Sequence, residues 1–217
     1  MSNINLQHLG LQFQKPNYSL FYHHQYKSET EFLRALRYIN EQEIDNLLKK
    51  RRDLYGVCLF TQPGSKYIKK VTNGLNKNKR VSAALKLKFR RQIHIAIFTQ
   101  QKNPFEVCVV GHEETHALGY MGEIPRLEER INNFLQSENF PLTGINNKDE
   151  ELAANIGGLY ALTMAYSLPS SSLVKGVTLL LDSTERYKNY KKQNHSTKNS
   201  GCIELINSIF RKMKKCS

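Results

Sequence analysis

The sequence predicts an α+β domain, mainly helical, with a small sheet ahead of a buried helix that carries a His-Glu-x-x-His spacing. Three observations predict it. Residues 28–52, 103–122, 126–139 and 147–167 are helical in apolar spacing or in their end signals. Only residues 55–61 and 92–99 read clearly as strands, and both precede the helix with the histidines. With 217 residues and 40% hydrophobic content, the chain is long enough to bury one sizeable core, so residues 1–217 are expected to form a single domain.

Residues 1–28 are polar with scattered aromatics (Phe13, Tyr18, Phe21, Tyr22, Tyr26) and read as an extended or loop segment across the body. The adjacent pair His23-His24 would point apart in a strand, which argues against a shared ligand site. Ser28, with Glu31 three residues on, opens an amphipathic helix to about Arg52, striped by Phe32, Leu36, Ile39 and Leu47. The strand at 55–61 is stopped by Gln62-Pro63-Gly64, and the Gly-, Asn- and Lys-rich stretch 64–80 reads as exposed loop. Residues 81–91 fit strand and helix alike. In 92–99, Ile93, Ile95 and Ile97 face one way and His94, Ala96 and Phe98 the other. His94 there is read as a structural or surface residue, and the strand as a free edge to which an extended chain could add.

In 103–122, Asn103 is a good N-cap, Pro104 suits the first helical position and Gly122 suits the terminator. Between them Val107, Cys108, Val109, Val110, Ala117 and Leu118 are apolar on nearly all sides, so this helix is expected to be buried. Pro125 opens the next helix, 126–139, and a loop with Pro141, Gly144, Asn146 and Asn147 follows. Asn147 and Glu150 have capping-box spacing for a helix that Pro169 ends. Gly157-Gly158 inside it predicts close packing against another helix, since two helical glycines otherwise cost about 1 kcal/mol each. Helices at 172–191 and 201–215 close the chain, separated by a polar linker at 193–200.

On the buried helix, His112 and His116 lie one turn apart on one face, a spacing with which two imidazoles grip one metal ion. Glu113 then sits beside the metal, in position to take a proton from a water there. With 7 His in 217 residues, random placement yields about 0.015 such matches per chain, so accident is a poor explanation. A catalytic zinc needs a third protein ligand, and no third histidine follows at short interval. Glu151, in the first turn of its helix, is the best candidate and Glu150 the reserve. Asn155 shares the face of Glu151 and could hydrogen-bond a ligating histidine.

The chain in this respect resembles the gluzincin group of zinc metallopeptidases, in which His-Glu-x-x-His is completed by a downstream glutamate. The resemblance covers residues 92–167 and implies a zincin-like domain and one Zn²⁺ per chain. It further implies His112, His116 and Glu151 as ligands and Glu113 as general base. Two subgroups look similar: the ImmA/IrrE-type regulatory peptidases, whose Glu-x-Glu-Ala-Asn stretch has Ala153 at its third position here, and small bacterial effector proteases, whose Glu-Glu stretch Glu150-Glu151 echoes. The reaction implied is hydrolysis of a peptide bond, with Tyr120, Tyr160, Tyr166 or His195 as donor to the developing oxyanion.

The formal charge of +13 is unevenly spread. Residues 54–105 hold eleven basic and no acidic side chains; 106–151 hold ten acidic against three basic; 186–217 hold nine basic against Glu204. The basic flanks suit an acidic protein, a nucleic acid or an anionic membrane surface, and a basic binding module with a structural or vestigial metal site is the rival reading. Zinc-dependent hydrolysis of a substrate other than a peptide is another. Cys58, Cys108, Cys202 and Cys216 form no Cys-x-x-Cys pair, and the first residues lack a signal-peptide pattern. Both features fit a cytoplasmic protein, or one delivered into a host cell without a classical signal.

Overall fold

The computed structural model describes residues 3–26, 56–61, 93–100, 106–145 and 149–193. The predicted helices at 28–52 and 201–215, the loop at 64–80, the ambiguous 81–91 and all but the first residue of the 193–200 linker lie outside these residues.

Two short strands open the fold, β1 (Asn3–Leu6) and β2 (Leu11–Gln14), paired antiparallel from Asn3 opposite Gln14 to Leu6 opposite Leu11. Alternation along β1 sends Ile4 and Leu6 into the core and Asn3 and Asn5 outward. Gly10 closes the connecting turn at φ +62°, where a side chain would be strained and would meet the Arg130 guanidinium.

β3 (Tyr18–Tyr26), β4 (Gly56–Thr61) and β5 (Ile93–Gln100) form a second sheet in the order β3-β5-β4. β5 runs parallel to β3 and antiparallel to β4. Its Ile95 and Ile97 are fully buried, as the alternation predicted. Two expectations are corrected. The extended segment expected at the N-terminus is, over residues 3–26, a hairpin and a strand in place of a loop, because β3 finds its partner far along the chain, where local pattern gives no warning. β5, expected as a free edge, is the central strand with neighbours on both sides, and β3 and β4 are the outer strands among the described residues.

Helix α1 (Glu106–Met121) ends as predicted at Gly122, which has φ +70°. The Glu123 N–H donates to the Leu118 carbonyl at 2.9 Å and the Gly122 N–H to Gly119 at 3.1 Å, satisfying carbonyls the helix leaves open. The predicted cap residues Asn103 and Pro104 lie outside the described residues. α2 (Ile124–Phe134) is shorter than expected; a 3₁₀ turn (Gln136–Glu138) and a left-handed Asn139 at φ +49° end the segment. α3 (Glu150–Ala165) is capped by Asp149, whose side chain accepts from the Glu151 N–H at 3.0 Å. That replaces the expected cap Asn147, which lies outside the described residues. Ser167, at φ +50°, and Pro169 turn the chain into α4 (Ser170–Gln193).

α1 lies between β4 and β5 on one side and α3 on the other, and α4 packs on α3. One core, including Leu6, Ile97, Leu118, Ile156 and Leu173, joins the layers. The α1–α3 crossing is closed by glycine. A Cβ on Gly157 would stand 1.9 Å from Thr115 Oγ1, one on Gly158 2.7 Å from the Cys108 carbonyl, and one on Gly111 2.3 Å from the Ala161 Cβ. No helix among the described residues is long and apolar enough to cross a membrane.

Candidate metal centre

This close crossing sets the distance between the two helices that carry the predicted ligands. His112 and His116 project from α1 with their Nε2 atoms 3.1 Å apart. Glu151, in the first turn of α3, brings Oε2 to 3.6 Å from His112 Nε2 and Oε1 to 3.9 Å from His116 Nε2. The three ligand atoms of this group all lie within 4.8 Å of one another, a cluster that could hold a metal ion.

The partners of the other ring nitrogens bear on what the cluster could hold. His112 Nδ1 faces Asn155 Oδ1 at 3.1 Å and His116 Nδ1 faces Glu150 Oε1 at 3.1 Å. Both oxygens accept, so in the neutral imidazoles each Nδ1 carries the proton and each Nε2 presents a lone pair. Two lone pairs 3.1 Å apart repel unless something cationic lies between them. A shared proton would bridge the imidazoles but leave Glu151 beyond hydrogen-bond range. An ion about 2 Å from each atom engages all three, since tetrahedral coordination at that bond length spaces its ligands by about 3.3 Å. The donor set therefore fits a divalent metal.

Glu113 is 6% exposed and faces β4. At Gly56 an added Cβ would lie 2.8 Å from Glu113 Oε1, so only glycine lets the strand approach this carboxylate. Cys58, buried on the same strand, has its thiol pushed well above the usual range by burial first, then by the negative charges of Glu113 and Glu150. It is a protonated, unreactive neighbour.

The four candidate donors separate. Tyr120 lies one turn beyond His116 on the same face, 41% exposed and stacked on Phe60 of β4 at 5.0 Å between ring centroids. Tyr160 is buried against Phe134, and its hydroxyl is raised by burial, which outweighs the nearby Arg130 guanidinium. Tyr166 caps the far end of α3, about 22 Å along the axis from Glu151. Of the three described candidates, Tyr120 alone shares a helix face with a predicted ligand; His195 lies outside the described residues, and the side chains of His23, His24 and His94 are likewise not described.

Three features escaped the sequence reading: Gly56, the pairing of Glu150 with His116, and Glu114. Glu114 is fully buried and collects the Leu9 N–H at 3.0 Å, His8 Nδ1 at 3.1 Å and the Tyr22 hydroxyl at 2.7 Å. A glutamate in a helix apolar on all sides was the available signal, because such a charge demands partners. Compared with family models, with curated proteins and with solved structures, the chain matches none of them.

Proposed function

We propose that the chain is a zinc-dependent peptidase. The observation that carries this reading is the pair of Nε2 lone pairs held 3.1 Å apart by Asn155 and Glu150, with the Glu151 carboxylate at the third corner. Two imidazoles and one carboxylate, with a fourth position open, are the ligand set of hydrolytic zinc. A zinc ion bound there supplies a lowered pKa for water and polarisation of a substrate carbonyl.

The rest falls to residues of the chain. Glu113, next to His112 and screened from solvent by β4, takes the proton of the attacking water and delivers it to the departing amine. Asn155 and Glu150 keep the imidazoles in one tautomer and one orientation. Tyr120, one turn beyond His116, donates to the carbonyl oxygen as it gains charge. β4, an outer strand of its sheet among the described residues, offers main-chain groups to an extended peptide beside Glu113.

The test compares wild type with Glu113→Gln, each incubated with a cell lysate and followed by sequencing of new protein termini. The expected outcome is about one zinc per chain in both proteins and new termini with wild type alone. Equal termini from both, or absence of bound metal from wild type, overturns the proposal.

A further inference from the structure

A cavity of about 380 Å³ opens beside the metal cluster, between the C-terminal half of α1, the start of α2 and the first turn of α3. Its walls include Thr115, Gly119, Ile124, Ile145, Ala153 and Glu150. Gly119 leaves open space, with nothing within 4 Å of where its Cβ would stand. Ile145 is a fixed wall, because the two oxygens of Glu128 hold the Gly144 and Ile145 N–H groups at 3.0 and 2.9 Å. Ile124, Ile145 and Ala153 give it apolar surface, and among the described residues its charged lining residue is Glu150, whose side chain is 67% exposed. That carboxylate also touches His116 Nδ1, so the cavity begins one imidazole's width from the metal position.

We infer that this cavity receives a lysine or arginine side chain of the substrate, next to the bond that is cut. The apolar walls suit the methylene stem and Glu150 the cationic head. Charge complementarity fixes the sign: Asp149, Glu150 and Glu151 gather at this end of α3, within a segment (106–151) that holds ten acidic side chains against three basic. An acidic side chain would be repelled by that field, and an aliphatic one would gain nothing from the carboxylate. The inference names the substrate class of the peptidase proposed above and rests on that reading for its link to cleavage.

Two measurements keep the readings apart. Binding of N-acetyl-lysine methylamide and of its uncharged norleucine counterpart is followed by NMR titration on zinc-loaded Glu113→Gln, which needs no turnover. The lysine compound is expected to bind about tenfold more tightly or better. Adding Glu150→Gln should remove that ratio, and adding Gly119→Leu should block both compounds, with zinc content measured in each protein. Equal binding of the two compounds, or a ratio unmoved by both added changes, overturns the pocket.

Peptide-library cleavage by wild type is the second measurement, expected to show Lys or Arg enriched at one position flanking the cut. Because Glu150 also orients His116, the decisive quantity is the lysine-to-norleucine ratio of kcat/KM, which a general loss of metal affinity leaves unchanged. Cleavage without a basic preference sinks the inference and spares the peptidase reading. Lysine-selective binding with no cleavage of any peptide does the reverse.

Discussion

Glu113 and Glu114 are neighbours in sequence but turn about 100° apart on α1, and their surroundings assign them opposite tasks. Glu113 looks toward β4, whereas Glu114 is sealed under the N-terminal hairpin with N–H and O–H donors aimed at it. An amide at 114 would point its own N–H₂ at one of those donors. Glu114→Gln is therefore expected to cost about 1–3 kcal/mol in denaturant unfolding, while Glu113→Gln keeps the fold and the metal. An equal effect of the two changes would contradict this division. The ring partners give a second expectation: Asn155→Ala frees His112 to rotate, and zinc affinity measured against a chelator should fall about 10- to 100-fold. Unaltered affinity would show that the ring is held by other contacts.

At the scale of elements, the α1–α3 crossing decides whether the ligands meet. Gly157→Ala would ordinarily gain helix propensity worth about 1 kcal/mol. Here the new Cβ would lie 1.9 Å from Thr115 Oγ1, which itself donates to the Gly111 carbonyl at 2.8 Å, so the hydroxyl is not free to swing away. Overpacking wins. A net loss of about 1–3 kcal/mol is expected, together with weaker zinc binding, because the helices must part and carry Glu151 away from the histidines. A stabilised Gly157→Ala variant with full zinc affinity would refute this account.

This crossing was half legible beforehand. Gly157-Gly158 announced a close neighbour, and α1 is that neighbour; Gly111 was silent because one glycine in an apolar run looks ordinary. The helix faces that bring His112, His116 and Glu151 together were readable for a simple reason, since helical periodicity fixes which residues share a side. Sheet order was not readable. The partner of β3 is set by burial of Ile95 and Ile97 across a long sequence gap, and no local spacing encodes it.

For the whole molecule, the cluster joins two elements that the chain separates by 35 residues, His116 on α1 and Glu151 on α3. Metal that binds only when both are in place stabilises the folded state by mass action, about 2.7 kcal/mol at a free concentration one hundred times Kd. The acidic segment that bears the three side chains would favour a loaded state further by drawing cations toward it. Melting temperature should therefore rise with added zinc and fall on chelation in wild type. Glu151→Ala, keeping the histidine pair but losing the tie to α3, should show most of that response abolished. A melting curve indifferent to zinc in wild type would mean that the three side chains converge without binding metal. A response preserved in Glu151→Ala would mean that the tie between the helices runs through another residue, with Glu150 the first to examine because its carboxylate already touches His116.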